Sequence, residues 1–286
     1  MIYFDLHCDT ATLMYGHKLD FSASELHINK KGLKHFEKCY QCFAVYINDI
    51  KSIYGINYFK DVINYFLPLA VKEKNLIPVI TTEGGQVIEG NLDNLNILKE
   101  NNVRIFGMVW NGENALATGA VKDNGKGLTS LGKECLQRLS DLDIYPDISH
   151  LSDQGVYDLM ESYDKPFIAT HSNSRAVRNH LRNLTDEQLS EIYRRGGLTG
   201  LNLYPPTIAE NPAVSDLIKH VEHMLELGGE NCISLGCDWD GTSLPDGITG
   251  IESIYNISSE LSKFYNKDIV DKIIYKNALR FLDIKA

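Results

Sequence analysis

The sequence predicts a (β/α)8 barrel of the TIM type. Short β-branched or aromatic runs alternate with longer stretches of 3.6-residue periodicity, the alternation repeats about eight times, and no linker rich in Pro, Gly or Ser divides the chain. One domain over residues 1–286 is therefore expected rather than two. A doubly wound open sheet is the fallback. No G-x-G-x-x-G follows the first strand, so the dinucleotide-binding version of that fallback has no support.

Strands are expected at 2–8, 42–47, 77–82, 103–110, 144–149, 166–170, 198–204 and 232–237. After the second, Tyr58, Phe59, Val62, Ile63 and Phe66 recur at helical spacing and form one apolar stripe. After the sixth, Thr185 and Gln188 have the spacing of a capping box, and Gly196 stands where the helix should end. After the seventh, Leu217, Val221, Met224 and Leu225 form a second stripe that Gly228 closes.

With 286 residues, 43% hydrophobic and 23% charged, the chain has the composition of a soluble globular protein with a sizeable core. A net charge of −10 and a pI near 5.4 argue against nucleic acid as a partner, because polyanion binding needs a basic stripe. No charged n-region, apolar h-region and cleavage site open the chain, and no apolar stretch reaches membrane-spanning length. The expected location is the cytoplasm, with no membrane partner; a homodimer stays open. Six cysteines are too sparse for a disulfide scaffold. The one C-x-x-C, Cys39 to Cys42, opens a strand in which residues three apart face opposite ways, so it reads as core.

A barrel places its functional groups where strands end and loops converge. Here the first strand ends on His7 and Asp9, the third on Glu83, the fifth on His150, the sixth on His171, and the eighth on Asp238 and Asp240. Core packing alone has no reason to bring imidazoles and carboxylates to one rim. In an extended strand His7 and Asp9 share a face while Cys8 turns away, so the pair can grip one metal ion. His150 and His171 close neighbouring strands and suit a borderline-soft ion such as Zn²⁺. Glu83, in "TTEGG", lies between the two groups and could bridge two ions, with Gly84 and Gly85 allowing close backbone approach. His220 and His223 in "KHVEHM" belong to an outer helix and read as surface or packing residues. His17, His27 and His35 have no motif around them.

The set "DLHCD", "TEGG", "DISHLS", "ATHSNSRAV" with "HLRNLTDEQL", and "SLGCDWDG" resembles the membrane dipeptidase (renal dipeptidase) family, in order and in spacing, over nearly the whole chain. "NALRFL" is similar to that family's C-terminal N-x-x-R helix. The resemblance implies a barrel of the metal-dependent hydrolase type with two zinc ions per chain, acting on dipeptides. It makes His7 and Asp9 ligands of the first ion, Glu83 the bridging carboxylate, and His150 and His171 ligands of the second. Asp238 resembles the acid that handles the proton of the metal-bridged water, and Arg182 the arginine that holds the substrate's free carboxylate. Asn202 is counted with Arg182 on the substrate side.

Two departures stand out. Where many family members carry a substrate-contacting histidine after the fourth strand, "GMVWNGEN" has Trp110, whose indole donates one hydrogen bond but exchanges no proton near neutrality. The chain also enters its first strand at once, like a soluble bacterial-type member. Glu113, in the same loop as Trp110, is a weaker ligand candidate than Glu83, which directly follows its strand. A zinc dipeptidase leads. Another metal-dependent barrel amidohydrolase or esterase, and a metal-bound protein that has lost catalysis, remain alternatives.

Overall fold

The computed structural model describes residues 1–48, 54–122 and 124–285. Eight parallel strands close into a barrel in chain order: β1 (Ile2–Asp5), β2 (Lys38–Tyr46), β3 (Leu76–Glu83), β4 (Val103–Gly107), β5 (Tyr145–Asp147), β6 (Ile168–Ala169), β7 (Leu198–Leu201) and β8 (Ile233–Leu235). All eight lie where the sequence places them. β2 begins earlier than its apolar run, because Lys38–Gln41 already pair with β1, and from Cys39 on with β3 as well.

Helices α1 (Thr10–His17) and α2 (Lys30–Leu33) follow β1, α3 (Gly55–Ala70) follows β2, and α4 (Asn94–Glu100) follows β3. α5 (Ser130–Asp141), α6 (Asp153–Ser162) and α7 (Asp186–Arg194) follow β4, β5 and β6 in turn. β7 leads to α8 (Pro205–Ile208) and α9 (Asp216–Glu226), and β8 to α10 (Ile254–Leu261), α11 (Lys267–Asp271) and α12 (Asn277–Phe281). The periodic stripes explain the packing: Phe59, Val62, Ile63 and Phe66 of α3 are buried, as are Leu217, Val221 and Met224 of α9. The capping box forms as spaced, with Thr185 Oγ1 accepting from Gln188 N and Gln188 Oε1 from Thr185 N, and such a cap contributes about 1 kcal/mol.

Two apolar layers fill the fold. Between strands and helices, Cys39 and Phe43 pack with Phe59 and Phe66. Inside the barrel, Phe4, Tyr40, Cys42, Val79 and Ile105 pack with Ala278, Leu279 and Leu282, so the C-terminal helix backs the interior. Cys39 and Cys42 thus lie in different layers, and all six cysteines are free and buried. With the interior filled by apolar side chains, His7, Glu83, His150 and His171 are found at or just beyond the strand ends. No helix among the described residues is long and apolar enough to cross a membrane.

Candidate active site

Glu83 is the last residue of β3, and the two glycines behind it are there for space. A Cβ on Gly84, which sits at φ 95°, would come 2.3 Å from the Ile47 carbonyl oxygen, and one on Gly85 would come 2.4 Å from that of Met108. The loop therefore tucks between neighbouring strand ends and leaves the carboxylate in the mouth of the barrel. Glu83 Oε1 lies 2.9 Å from His150 Nε2 and 3.6 Å from His171 Nε2. Its other oxygen, Oε2, lies 3.6 Å from His7 Nε2. One carboxylate thus faces imidazoles from both sides.

The outer ring nitrogens fix how these imidazoles point. His150, held at the uncommon φ of 70°, has Nδ1 2.9 Å from Asn111 Oδ1; the tautomer that donates there leaves the Nε2 lone pair free. His171 has Nδ1 2.8 Å from Thr170 Oγ1, and that hydroxyl in turn donates to Asp147 Oδ2. Asp147 is itself held by the backbone N–H groups of Ser149 and Thr170, at 2.8 and 3.0 Å. A carboxylate–hydroxyl–imidazole chain therefore directs His171 Nε2 to within 2.9 Å of His150 Nε2.

β1 ends at Asp5, so His7 and Asp9 lie just beyond the extended strand rather than within it. They still converge: ligand atoms of His7, Asp9 and Asp238 lie within 4.8 Å of one another, as do those of Glu83, His150 and His171. Cys8 turns into the outer apolar layer, as alternation predicts. Asp5 braces this turn, accepting from His7 N, Gln41 Nε2, Tyr3 Oη and Cys237 N. His7 Nε2 and Asp9 Oδ1 are buried and have no hydrogen-bond partner among the described residues. Buried polar atoms rarely stay unpaired, and these two point into a cluster of imidazole and carboxylate donors. The residues fit metal ions.

Electrostatics agree with that fit. Burial lifts the Asp238 carboxyl to about 6, with the His7 imidazole opposing and the Glu83 carboxylate adding to the rise. Burial, then Glu83, likewise pushes Asp9 well up. Burial works against a charged His7, but the carboxylates of Glu83, Asp9 and Asp238 outweigh it and raise the imidazole to about 10. Burial and the Arg182 guanidinium drop His150 to about 4, and burial followed by the other imidazoles lowers His171. Three carboxylates beside two imidazoles held neutral make a site suited to cations.

Beside the cluster opens a cleft of about 400 Å³, lined among others by Tyr46, Trp110, Arg182, Asn202 and Tyr204. Arg182 is buried, and its guanidinium forms no hydrogen bond or ion pair with a described residue; burial lowers it to about 10. Asn202 lines the cleft while bracing it, with Nδ2 donating to the His171 carbonyl at 3.2 Å and Oδ1 accepting from Tyr204 N at 2.7 Å.

Residues 67–285 match the membrane dipeptidase family, peptidase family M19. The chain belongs to this family. An uncharacterized protein from the pqqA 5′ region of Klebsiella pneumoniae is 30% identical over 224 residues, which are 74% of this chain and 83% of that protein. An uncharacterized dipeptidase of Schizosaccharomyces pombe is 29% identical over 180 residues, 60% of this chain and 41% of that protein. A metallopeptidase from Rhodobacter sphaeroides, solved with a phosphinate mimic of the dipeptide L-Ala-D-Ala, superposes with a TM-score of 0.90 at 22% identity, over 100% of this chain and 99% of that one. The chain shares that fold.

In this membrane dipeptidase family member, Asp9, Glu83, Trp110, His150, Arg182, Asn202 and Asp238 line the cleft, and His7 and His171 are buried against Glu83; one of the rim groups does not join them. Asp240 is turned away: it accepts from Thr10 Oγ1 at 2.5 Å and from His27 N at 2.7 Å, and so ties the segment after α1 to the end of β8. His27 returns the bond by accepting from Asp240 N, a role its sequence context did not show. Glu113 lies apart, paired with Lys126 at 2.9 Å. His220 is buried, accepting from Ser174 N and paired with the Ile208 carbonyl, and His223 pairs with Asp186, so both are packing or surface groups. Sequence reading missed Asp5, Asn111, Asp147 and Thr170, which orient the site's side chains; Asn111 also lines the cleft, and a carboxylate oxygen of Asp147 lies within 4.8 Å of ring nitrogens of His7 and His171.

Proposed function

We propose that this chain is a binuclear zinc dipeptidase acting on dipeptides with a free C-terminal carboxylate, with His7, Asp9, Glu83, His150 and His171 as the metal ligands. The placement of Glu83 supports this most directly: its two oxygens reach toward His7 on one side and toward His150 and His171 on the other. Imidazole and carboxylate donors together favour zinc. Two bound ions would lower the pKa of water and polarise the scissile carbonyl. Asp238, whose Oδ1 lies 3.8 Å from His7 Nε2, would take the proton of the attacking water and pass it to the leaving amine. Arg182 would hold the substrate carboxylate through two parallel hydrogen bonds, and Trp110 and Asn202 would bound the cleft. Six free, buried cysteines suit a reducing cytoplasm.

Metal analysis coupled to a dipeptide hydrolysis screen tests the reading. Carefully loaded protein should hold close to two zinc ions per chain, chelation should abolish hydrolysis, and zinc should restore it. His150→Ala should retain about one ion, because the His7–Asp9 group is untouched. Protein that takes up no metal, or hydrolysis indifferent to a chelator, would overturn it.

The chain from Asp147 through Thr170 to His171 makes a separate prediction. Thr170→Val keeps the side-chain shape but leaves the His171 Nδ1 proton unpaired, and should weaken the ion at His171 about 10–100-fold. Competition with a chromophoric chelator reads this directly. Unchanged affinity would reduce the chain of bonds to a packing feature.

A further inference from the structure

We infer that an apolar wall of Tyr46, Trp110 and Val121 receives the side chain of the dipeptide's first residue, and that large apolar or aromatic residues are favoured there. The inference rests on the proposed reading in which Arg182 holds the C-terminal carboxylate. Around the closed barrel, Arg182, Tyr204 and Asp238 follow β6, β7 and β8, whereas Tyr46 ends β2, and Trp110 and Val121 follow β4. These are opposite sides of the rim, with the His7–Glu83–His150–His171 cluster between them. A dipeptide anchored by its carboxylate on the first side, with its peptide bond over the cluster, must send its amino-terminal residue toward the second.

That second side has the chemistry of an apolar receptor. The rings of Tyr46 and Trp110 meet edge to face, with centroids 5.2 Å apart and planes at 68°. The indole stands 6.2 Å from the His150 ring, next to the proposed reaction centre. Its N–H makes no hydrogen bond to a described residue, so the ring is placed by packing and leaves one donor free for a ligand. Val121 is 56% exposed at the mouth of the same cleft. Two aromatic ring faces and a valine on one wall of the cleft gain by being covered, and aromatic rings gain further from an aromatic partner.

The test is a matched pair of substrate series, X-Ala and Ala-X, with X as Gly, Ala, Leu or Phe and with L- and D-Ala both tried as the second residue. On zinc-loaded enzyme, kcat/KM should rise about tenfold or more from Gly-Ala to Phe-Ala, through KM, with no matching rise in the Ala-X series. Trp110→Ala should collapse the Phe-Ala to Gly-Ala ratio to about threefold or less. Val121→Asp, at an exposed position where folding is not at stake, should lower the same ratio.

Binding offers a readout apart from turnover. The chain has two tryptophans, and Trp239 is fully buried against Tyr3, so a ligand-induced change in indole emission reports Trp110. Titration with the phosphinate analogue of Phe-Ala should change emission more than that of Gly-Ala, and Trp110→Phe should abolish the change. If no dipeptide is hydrolysed, the functional reading itself fails. If dipeptides are hydrolysed but the X-Ala series is flat, favours a charged X, or is unaltered in Trp110→Ala, the wall is not the first-residue subsite.

Discussion

Asp238→Asn is expected to lower kcat by about 10²–10⁴-fold while KM changes by a few fold at most. The choice of asparagine follows from the backbone. Asp238 sits at φ 61°, in the left-handed region that Asn and Asp tolerate and that most other side chains resist. Asparagine therefore keeps the backbone and the approximate shape of the group, and removes only its capacity to carry a proton. Such a loss is felt when the proton moves during reaction, not when substrate binds. Zinc content must be measured on the same variant, because Asp238 Oδ1 lies 3.8 Å from His7 Nε2 and belongs to a cluster able to hold an ion with His7 and Asp9. Retained zinc with lost turnover is the expected result. Zinc lost together with activity would make Asp238 a ligand rather than the acid–base group.

The parts of this site that could be read from sequence are those whose chemistry contradicts their setting. His7, Glu83, His150 and His171 each interrupt an apolar strand pattern at its end, and a barrel gathers strand ends at one rim, so residue type and position sufficed. The supporting groups carry no such contradiction. Asp147 reads as one more polar residue before "ISH", and its part depends on the direction of the Thr170 hydroxyl, which spacing does not encode. Asn111 follows Trp110 in a loop and acquires meaning only when that loop folds back onto His150. Asp240 shows the converse error. Alternation puts it on the same side as Asp238, but the chain leaves extended conformation after Leu235, and both aspartates adopt positive φ, so period-two reasoning no longer applies. His7 and Asp9 also lie beyond their strand, and converge because Asp5 holds the turn from beneath.

Arg182→Lys is expected to lower kcat/KM for a free dipeptide about 10²–10³-fold, and amidating the dipeptide's C-terminus should cost the wild-type enzyme a similar factor. The guanidinium is buried beside Glu83 and Asp238, which oppose the fall that burial imposes on its pKa, yet it bonds to neither. A buried cation without a hydrogen-bonded partner is costly unless a ligand supplies the counter-charge, and a carboxylate accepts two parallel N–H bonds from the planar fork. Lysine retains the charge but not the fork, so the deficit left in Arg182→Lys measures geometry rather than Coulomb attraction. The two perturbations should not add. Once the carboxylate is amidated, the guanidinium has lost its partner, and Arg182→Lys should then change the rate by only a few fold. A hydrolase of cyclic amides or esters would treat acid and amide alike in both proteins. Full additivity would place the carboxylate elsewhere in the cleft and leave Arg182 as a group that tunes the charge of the cluster.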